Sequence, residues 1–264
     1  MIAPLAQDAI AALLAMRAAF PSQPLALIGA TALGCHIPMK WRRTEDLDLV
    51  VALSIEDASR ALAALPGWSR NDRKEHEWRS PRGVLVDLLP VSTQALAARV
   101  LLWPRTGHAM SLVGIRHALS SPAISITEGL VLAVPSVAII AILKMVSYLD
   151  RPWERERDLS DLAHILHEYP PADDDRLFEG EIHDRGLTLE TALPFILGRE
   201  IAVLVDTAEA DAVQRFLQRV RTSDLPRFVA NGPWSRFEPE QAESRLDALV
   251  QGFSMPSTHV NHGK

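Results

Sequence analysis

The spacing of apolar and polar positions divides the chain into a sequence of expected elements. Residues 5–20 are Ala/Leu-rich and periodic, which predicts a helix closed by Pro21 and Pro24. A short apolar run at 25–28 predicts a strand ended by Gly29, and residues 31–36 predict a helix stopped by Pro38. Residues 46–53 read as a strand in which Leu47, Leu49, Val50 and Val51 are the buried material. Ser54 is placed to cap a helix over 55–64, which Pro66-Gly67 ends. Residues 68–79 are strongly charged and predict a solvated strand or hairpin arm. Pro81-Arg82-Gly83 then turns the chain into a second apolar strand at 84–89.

Residues 92–101 read as a helix, and 111–126 as two short strands around Ser120-Ser121-Pro122. The most apolar run, 129–146, is interrupted by Pro135, Ser136 and Lys144, which makes it a poor membrane span and a better buried helix. Pro135-Ser136 starts a helix over 137–149, and Arg151-Pro152 breaks it. Leu159, Leu162, Ile165 and Leu166 are at helical spacing within a further helix, 154–168, ended by Pro170-Pro171. Helical segments are expected near 174–183, 189–206, 209–221 and 238–252, with no strand among them. The change from mixed to all-helical structure falls near residue 130, which gives expected domains of 1–130 and 131–264. The tail from Ser254 is polar and expected to fray.

Composition narrows the function classes. The chain has 264 residues, 48% hydrophobic and 23% charged, enough for one large domain or two small ones. Its net charge of −6 provides no global basic field for nucleic acid, so any such contact needs a local patch. The single cysteine, Cys35, excludes an internal disulfide and fits a reducing cytosol. No signal peptide is evident, and a cytoplasmic protein without membrane contact is expected.

The chemistry is concentrated in acids at strand positions. Asp46 and Asp48 are two apart, so in a strand they point to the same face. Two carboxylates ~4 Å apart repel by about 4 kcal/mol at an effective dielectric near 20, which a hard divalent cation relieves. Asp87 interrupts the second apolar strand. It is either the third acid of a cluster with Asp46 and Asp48, if the strands are neighbours, or the partner of an arginine such as Arg82. Gly29 and Ala30 form a strand-to-helix turn whose N–H groups suit a phosphate. Lys40, Arg42 and Arg43 make a basic loop just before the acids. Lys144, in an apolar helix, either snorkels or binds an anion. Asp158 and Asp161 share a helix face. The nine histidines show no metal-ligand spacing, and neither a Gly-x-Ser-x-Gly nor a P-loop pattern occurs.

In this order the motifs are Gly29-Ala30 after a strand, Arg43-Thr44, Asp46-Leu47-Asp48, Lys144, and Arg155-Glu156-Arg157-Asp158-Leu159-Ser160-Asp161. Together they resemble the nucleotidyltransferase superfamily typified by DNA polymerase β. Within it they are most similar to the AbiEii-type toxins of bacterial abortive-infection and toxin–antitoxin systems. The resemblance covers about residues 25–168. It implies an α/β (α+β) nucleotidyltransferase core with a mixed sheet, followed by an all-helical C-terminal domain that completes the active-site cleft. It also implies Mg²⁺-dependent transfer of a nucleotidyl group from an NTP to an acceptor hydroxyl on tRNA, a protein or a small molecule, and a cognate antitoxin as partner.

The residue roles follow from the same resemblance. Asp46, Asp48 and Asp87 would bind metal, with Asp87 also deprotonating the acceptor. Gly29, Ala30, Thr31, Arg43 and Lys144 would hold the triphosphate, and Asp158 would support the chemistry as a base or as an orienter of Lys144. Two departures stand out. Ala30 lacks the serine hydroxyl common at that turn, leaving Thr31 as its substitute, and Arg157 replaces a lysine. Ala30 favours an alternative reading as a nucleotide- or partner-binding module that lost efficient catalysis. An antibiotic-modifying nucleotidyltransferase is a third reading.

Overall fold

The structure, a computed structural model, describes residues 5–234 and 238–254, so the tail expected to fray lies, beyond Ser254, outside the described residues. The chain divides into two compact units, Met1–Leu143 and Lys144–Lys264.

The first unit begins with α1 (Gln7–Ala19), β1 (Leu25–Ile28), α2 (Gly29–Leu33), β2 (Asp46–Val51) and α3 (Ile55–Ala63). It continues through β3 (Ser69–Arg70), β4 (Glu77–Arg79), β5 (Leu85–Pro90), α4 (Thr93–Ala98), β6 (Val100–Leu102) and β7 (Ala109–Ser111). Then come α5 (Ile115–Leu119), β8 (Ala123–Thr127), β9 (Leu130–Ala133) and α6 (Val137–Asp150), within which the division falls. Seven strands form one mixed sheet in the order β3-β4-β5-β2-β1-β9-β8, and β6 and β7 form a separate ladder. β2 runs antiparallel to β1 and parallel to β5, and β9 is parallel to β1.

Strand alternation divides the residues of β1, β2 and β5 between two faces. Leu27, Leu47, Leu49, Val51, Val86 and Leu88 take one face and are all buried. The other face carries Ala26, Val50 and Leu89, which join a core with Val91, Leu101, Trp103, Leu112, Ile115 and Ala118. Asp46, Asp48 and Asp87 continue that second face, so it is apolar at one end and acidic at the other.

Several expectations are corrected here. Residues 115–119 form a short helix, not a strand, and bury Ile115 and Ala118. The start of the apolar run read as a buried helix is strand β9, where Leu130 and Leu132 are buried and Val131 is exposed. The sheet therefore extends past residue 130. The charged stretch 68–79 is not wholly solvated, because Glu77 and Trp78 are buried against β5. Residues 92–101 hold both α4 and the start of β6. Ser54 caps α3 as expected, accepting from the Asp57 N–H.

The second unit is helical: α7 (Glu156–Glu168), a 3-10 turn (Asp175–Phe178), α8 (Gly180–Asp184), α9 (Leu189–Leu204) and α10 (Thr207–Arg219). A π turn (Val220–Asp224), α11 (Leu225–Asn231) and α12 (Glu240–Phe253) complete it, and α11 was not expected. Leu177, Ile182, Leu193, Phe195 and Ala248 make one of its cores. Among the described residues no helix is long and apolar enough to cross a membrane.

Candidate active site

The site is built from strand register. Ile28 lies opposite Asp48, Asp48 opposite Asp87, and Asp87 opposite Glu77. One row thus crosses β1, β2, β5 and β4 and contains three consecutive acids, at the usual strand spacing of about 4.8 Å. Asp46 lies on the same face, two residues before Asp48. Asp46, Asp48 and Asp87 are half-buried, as groups at the open end of a sheet should be. Like charges directly opposite on neighbouring strands destabilise a sheet, so this arrangement needs positive charge nearby.

Gly29 follows β1 directly and has φ +67°, a left-handed conformation that side chains rarely adopt. A Cβ there would fall 2.0 Å from Asp48 Oδ2. The glycine is thus fixed twice, by its backbone angle and by the close approach of the Asp48 carboxylate. Ala30 and Thr31 are buried in α2, and the Thr31 hydroxyl donates to the Asp46 carbonyl at 3.4 Å. That hydroxyl ties α2 to β2, which is not the role expected of a substitute for a missing serine. Arg43 is exposed in the segment before β2. Arg82, considered as a partner for Asp87, pairs with Asp8 at 2.8 Å.

The β3–β4 arm contributes groups that the sequence reading missed. His76 Nε2 is 3.7 Å from Asp87 Oδ2, and its ring leans on Trp103 with centroids 5.5 Å apart. Glu77 accepts hydrogen bonds from Asn71 and from Lys74, the latter at 2.9 Å. The Lys74 hydrogen bond holds the Glu77 carboxyl below its ordinary range against the opposing effect of burial, with help from Asn71. Lys74 is raised in turn, first by that hydrogen bond, against a burial penalty, and then by the charges of Glu77, Asp87 and Asp46. A cation on this arm therefore lies in the field of the acid row. The only signal in the sequence was the concentration of charge in RNDRKEH.

Among the described residues, no group of three or more His, Cys, Asp or Glu side chains converges closely enough to hold a metal ion. The aspartates nevertheless fit a hard divalent cation in donor chemistry, because their donors are carboxylate oxygens; the glycine at 29 makes room for the Asp48 carboxylate itself.

The second unit has a different cluster. Lys144 is 5% exposed, and its ammonium is 3.1 Å from Asp158 Oδ1 and 2.7 Å from Asp161 Oδ2. Burial alone would push the lysine down, but the two aspartates outweigh it and its pKa is raised. Asp161 is wholly buried, and Asp158 Oδ2 is buried without a hydrogen-bond partner. Lys144 is therefore neither a snorkelling surface residue nor an exposed anion site. It is the centre of a largely buried cluster with Asp158 and Asp161.

A family model described as "Nucleotidyl transferase AbiEii toxin, Type IV TA system" matches residues 11–231. No curated protein matches the chain significantly. Among solved structures, an antigenic nucleotidyltransferase-like protein from Paracoccidioides brasiliensis aligns at 20% identity and a TM-score of 0.42, over 72% of this chain and 94% of that one. JHP933 from Helicobacter pylori aligns at 18% identity and a TM-score of 0.36, over 94% of this chain and 92% of that one.

Proposed function

The chain belongs to the AbiEii family of nucleotidyltransferase toxins of type IV toxin–antitoxin systems, and on that premise we propose that it moves a nucleotidyl group from an NTP to an acceptor hydroxyl with Mg²⁺ as cofactor. The observation that carries this reading is the register of Asp48 with Asp87 on neighbouring strands, on the face shared with Asp46 and against a glycine that leaves room for the carboxylate.

Asp46, Asp48 and Asp87 would hold the cation. When bound, it would offset the triphosphate charge and polarise the attacking hydroxyl. Asp87, a hard carboxylate with His76 beside it, is the group assigned to accept the proton from that hydroxyl. Backbone at Gly29 and Ala30 faces the phosphates, and exposed Arg43 adds positive charge ahead of the acids. Lys144, which the resemblance gives to the triphosphate, is engaged by Asp158 and Asp161 and takes a structural role in this reading. The acceptor is an RNA end such as that of tRNA, or a protein. A cognate antitoxin and a cytoplasmic location complete the proposal.

The test incubates the protein with each labelled NTP, Mg²⁺ and total RNA. Label transferred by the native chain and lost in both Asp46→Ala and Asp48→Ala supports the reading. Full activity in either variant overturns the metal assignment. One observation favours a second reading, a nucleotide-binding module with weak turnover. Ala30 has no hydroxyl, and that of Thr31 is committed to the Asp46 carbonyl. NTP binding without transfer to RNA, protein or small molecule would establish that alternative.

A further inference from the structure

Trp153 is the most exposed of the large apolar side chains among the described residues, at 79%. A tryptophan left in water forfeits a large burial gain and calls for an explanation. It is not an isolated protrusion. The Arg227 guanidinium lies 5.6 Å from its ring centroid and that of Arg219 lies 5.8 Å away. Both arginines are anchored from below. Arg219 Nε donates to Asp224 Oδ2 at 2.6 Å, and the same oxygen accepts from the buried Tyr148 hydroxyl at 2.7 Å. Arg227 donates to the Pro152 carbonyl at 3.0 Å and to the Tyr148 hydroxyl at 3.3 Å, and its guanidinium lies 6.0 Å from the Tyr148 ring. A buried tyrosine–aspartate pair thus fixes two cations beside an indole that projects into solvent, all within the second unit.

From this we infer that the Trp153–Arg219–Arg227 face binds single-stranded nucleic acid, with a base stacking on the indole and the adjoining phosphates meeting the guanidiniums. An indole flanked by fixed guanidiniums matches the two chemistries of a nucleotide, a flat π face and a phosphate one sugar away. An acidic peptide would use the cations and leave the indole idle. The surrounding loop is close to charge-balanced, because Glu154 pairs with Arg151 and Glu156 with Arg227. Stacking therefore dominates over electrostatics, and the salt dependence of binding should be shallow. The inference rests on the transfer reading only for the use of the bound strand, adds a binding face to it, and is decided by binding and not by turnover.

The experiment titrates the full chain into a fluorescein-labelled oligoadenylate, with a blunt RNA duplex and a polyglutamate peptide as competitors. Trp153→Ala should weaken oligoadenylate binding about tenfold, while Trp153→Phe, which keeps a stacking ring, should stay within about twofold of the native chain. The duplex and the peptide should compete poorly. Equal binding by Trp153→Ala overturns the inference, and so does polyglutamate displacing the oligonucleotide at equal concentration, which would assign the face to an acidic protein. Asp48→Ala, assayed in parallel, separates the two readings. It should bind oligoadenylate like the native chain while failing to transfer label. If it transfers label normally, only the catalytic reading fails.

Discussion

The two charged clusters of this protein solve the same problem in opposite ways. On the sheet, acids stand next to acids: Asp48, Asp87 and Glu77 occupy one row, with Asp46 beside them, and the cations of the β3–β4 arm lie at its edge. In the helical unit the acids stand around a lysine, with Asp158 and Asp161 both on Lys144 and the group nearly or wholly out of water. The first arrangement gathers acids at a half-exposed place with Lys74 and His76 at its edge, and suits recruitment of a cation with its substrate. The second is already compensated and is held together by its own charges. On the proposed reading, similar aspartates serve function in one region and structure in the other, and what surrounds them decides which.

This contrast can be broken by substitution. Lys144→Met should have the largest effect, on stability. It strands the buried Asp161 carboxylate and the partly buried Asp158, and removing one partner of a buried ion pair costs about 3–5 kcal/mol. Chemical denaturation would measure the loss, and restoring Asp161→Asn in the same chain should recover part of it. No loss of stability would mean the triad is not structural. Asp48→Asn should do the reverse, lowering transfer by about two to three orders of magnitude, or about 2.7–4 kcal/mol. Its melting temperature should hold or rise, since one like-charge contact is relieved. Gly29→Ala should damage both properties, costing about 1–3 kcal/mol of stability through the strained backbone angle and displacing the Asp48 carboxylate that meets its Cβ.

The smallest effect sharpens the picture of the helical unit by pH. Its Tyr148 and Tyr169 are the chain's only tyrosines, and both are pushed up to about 12, by burial first and then by Asp224 and Glu200 respectively. The folded phenols keep their protons while the unfolded ones ionise near 10. The stability they contribute is present below about 10 and drains away as pH rises towards 12. Phenolate absorbance should stay flat through pH 10 and rise with unfolding or near 12. A rise near 10 with the fold intact would contradict the burial of these rings.

How legible this was depended on element length. The alternation of Asp46-Leu47-Asp48-Leu49 and the acid inside the apolar run 84–89 place three carboxylates on strands from the sequence alone, because strands of six residues show their period. Glu77 and His76 were hidden. Their strand is three residues long in a run of charges, and the burial of Glu77 comes from β5 and not from its own neighbours. The five-residue helix Ile115–Leu119 is too short to display a helical period. β9 was invisible for another reason. Its apolar residues merge through Val134 into the apolar helix beyond Pro135, and periodicity does not separate a buried strand from a buried helix. The roles of the helical acids were only half legible: the i, i+3 spacing pairs Asp158 with Asp161 and the resemblance offers Asp158 as an orienter of Lys144, but nothing brings Asp161 to the same ammonium.

The register of β5 against β2 has a consequence for how this chain tolerates change. Parity in that strand decides which side chains meet solvent chemistry and which meet the hydrocarbon interior. Inserting or deleting one residue in the Pro81-Arg82-Gly83 turn, with pairing re-formed one step along, would carry Asp87 into the company of Leu47 and Leu49 and bring Val86 or Leu88 out to the acid row. The molecule that resulted would be both inactive and unfolded, so length variation at this turn should be absent from working versions of the protein, whereas substitutions of the exposed Arg82 should pass unnoticed.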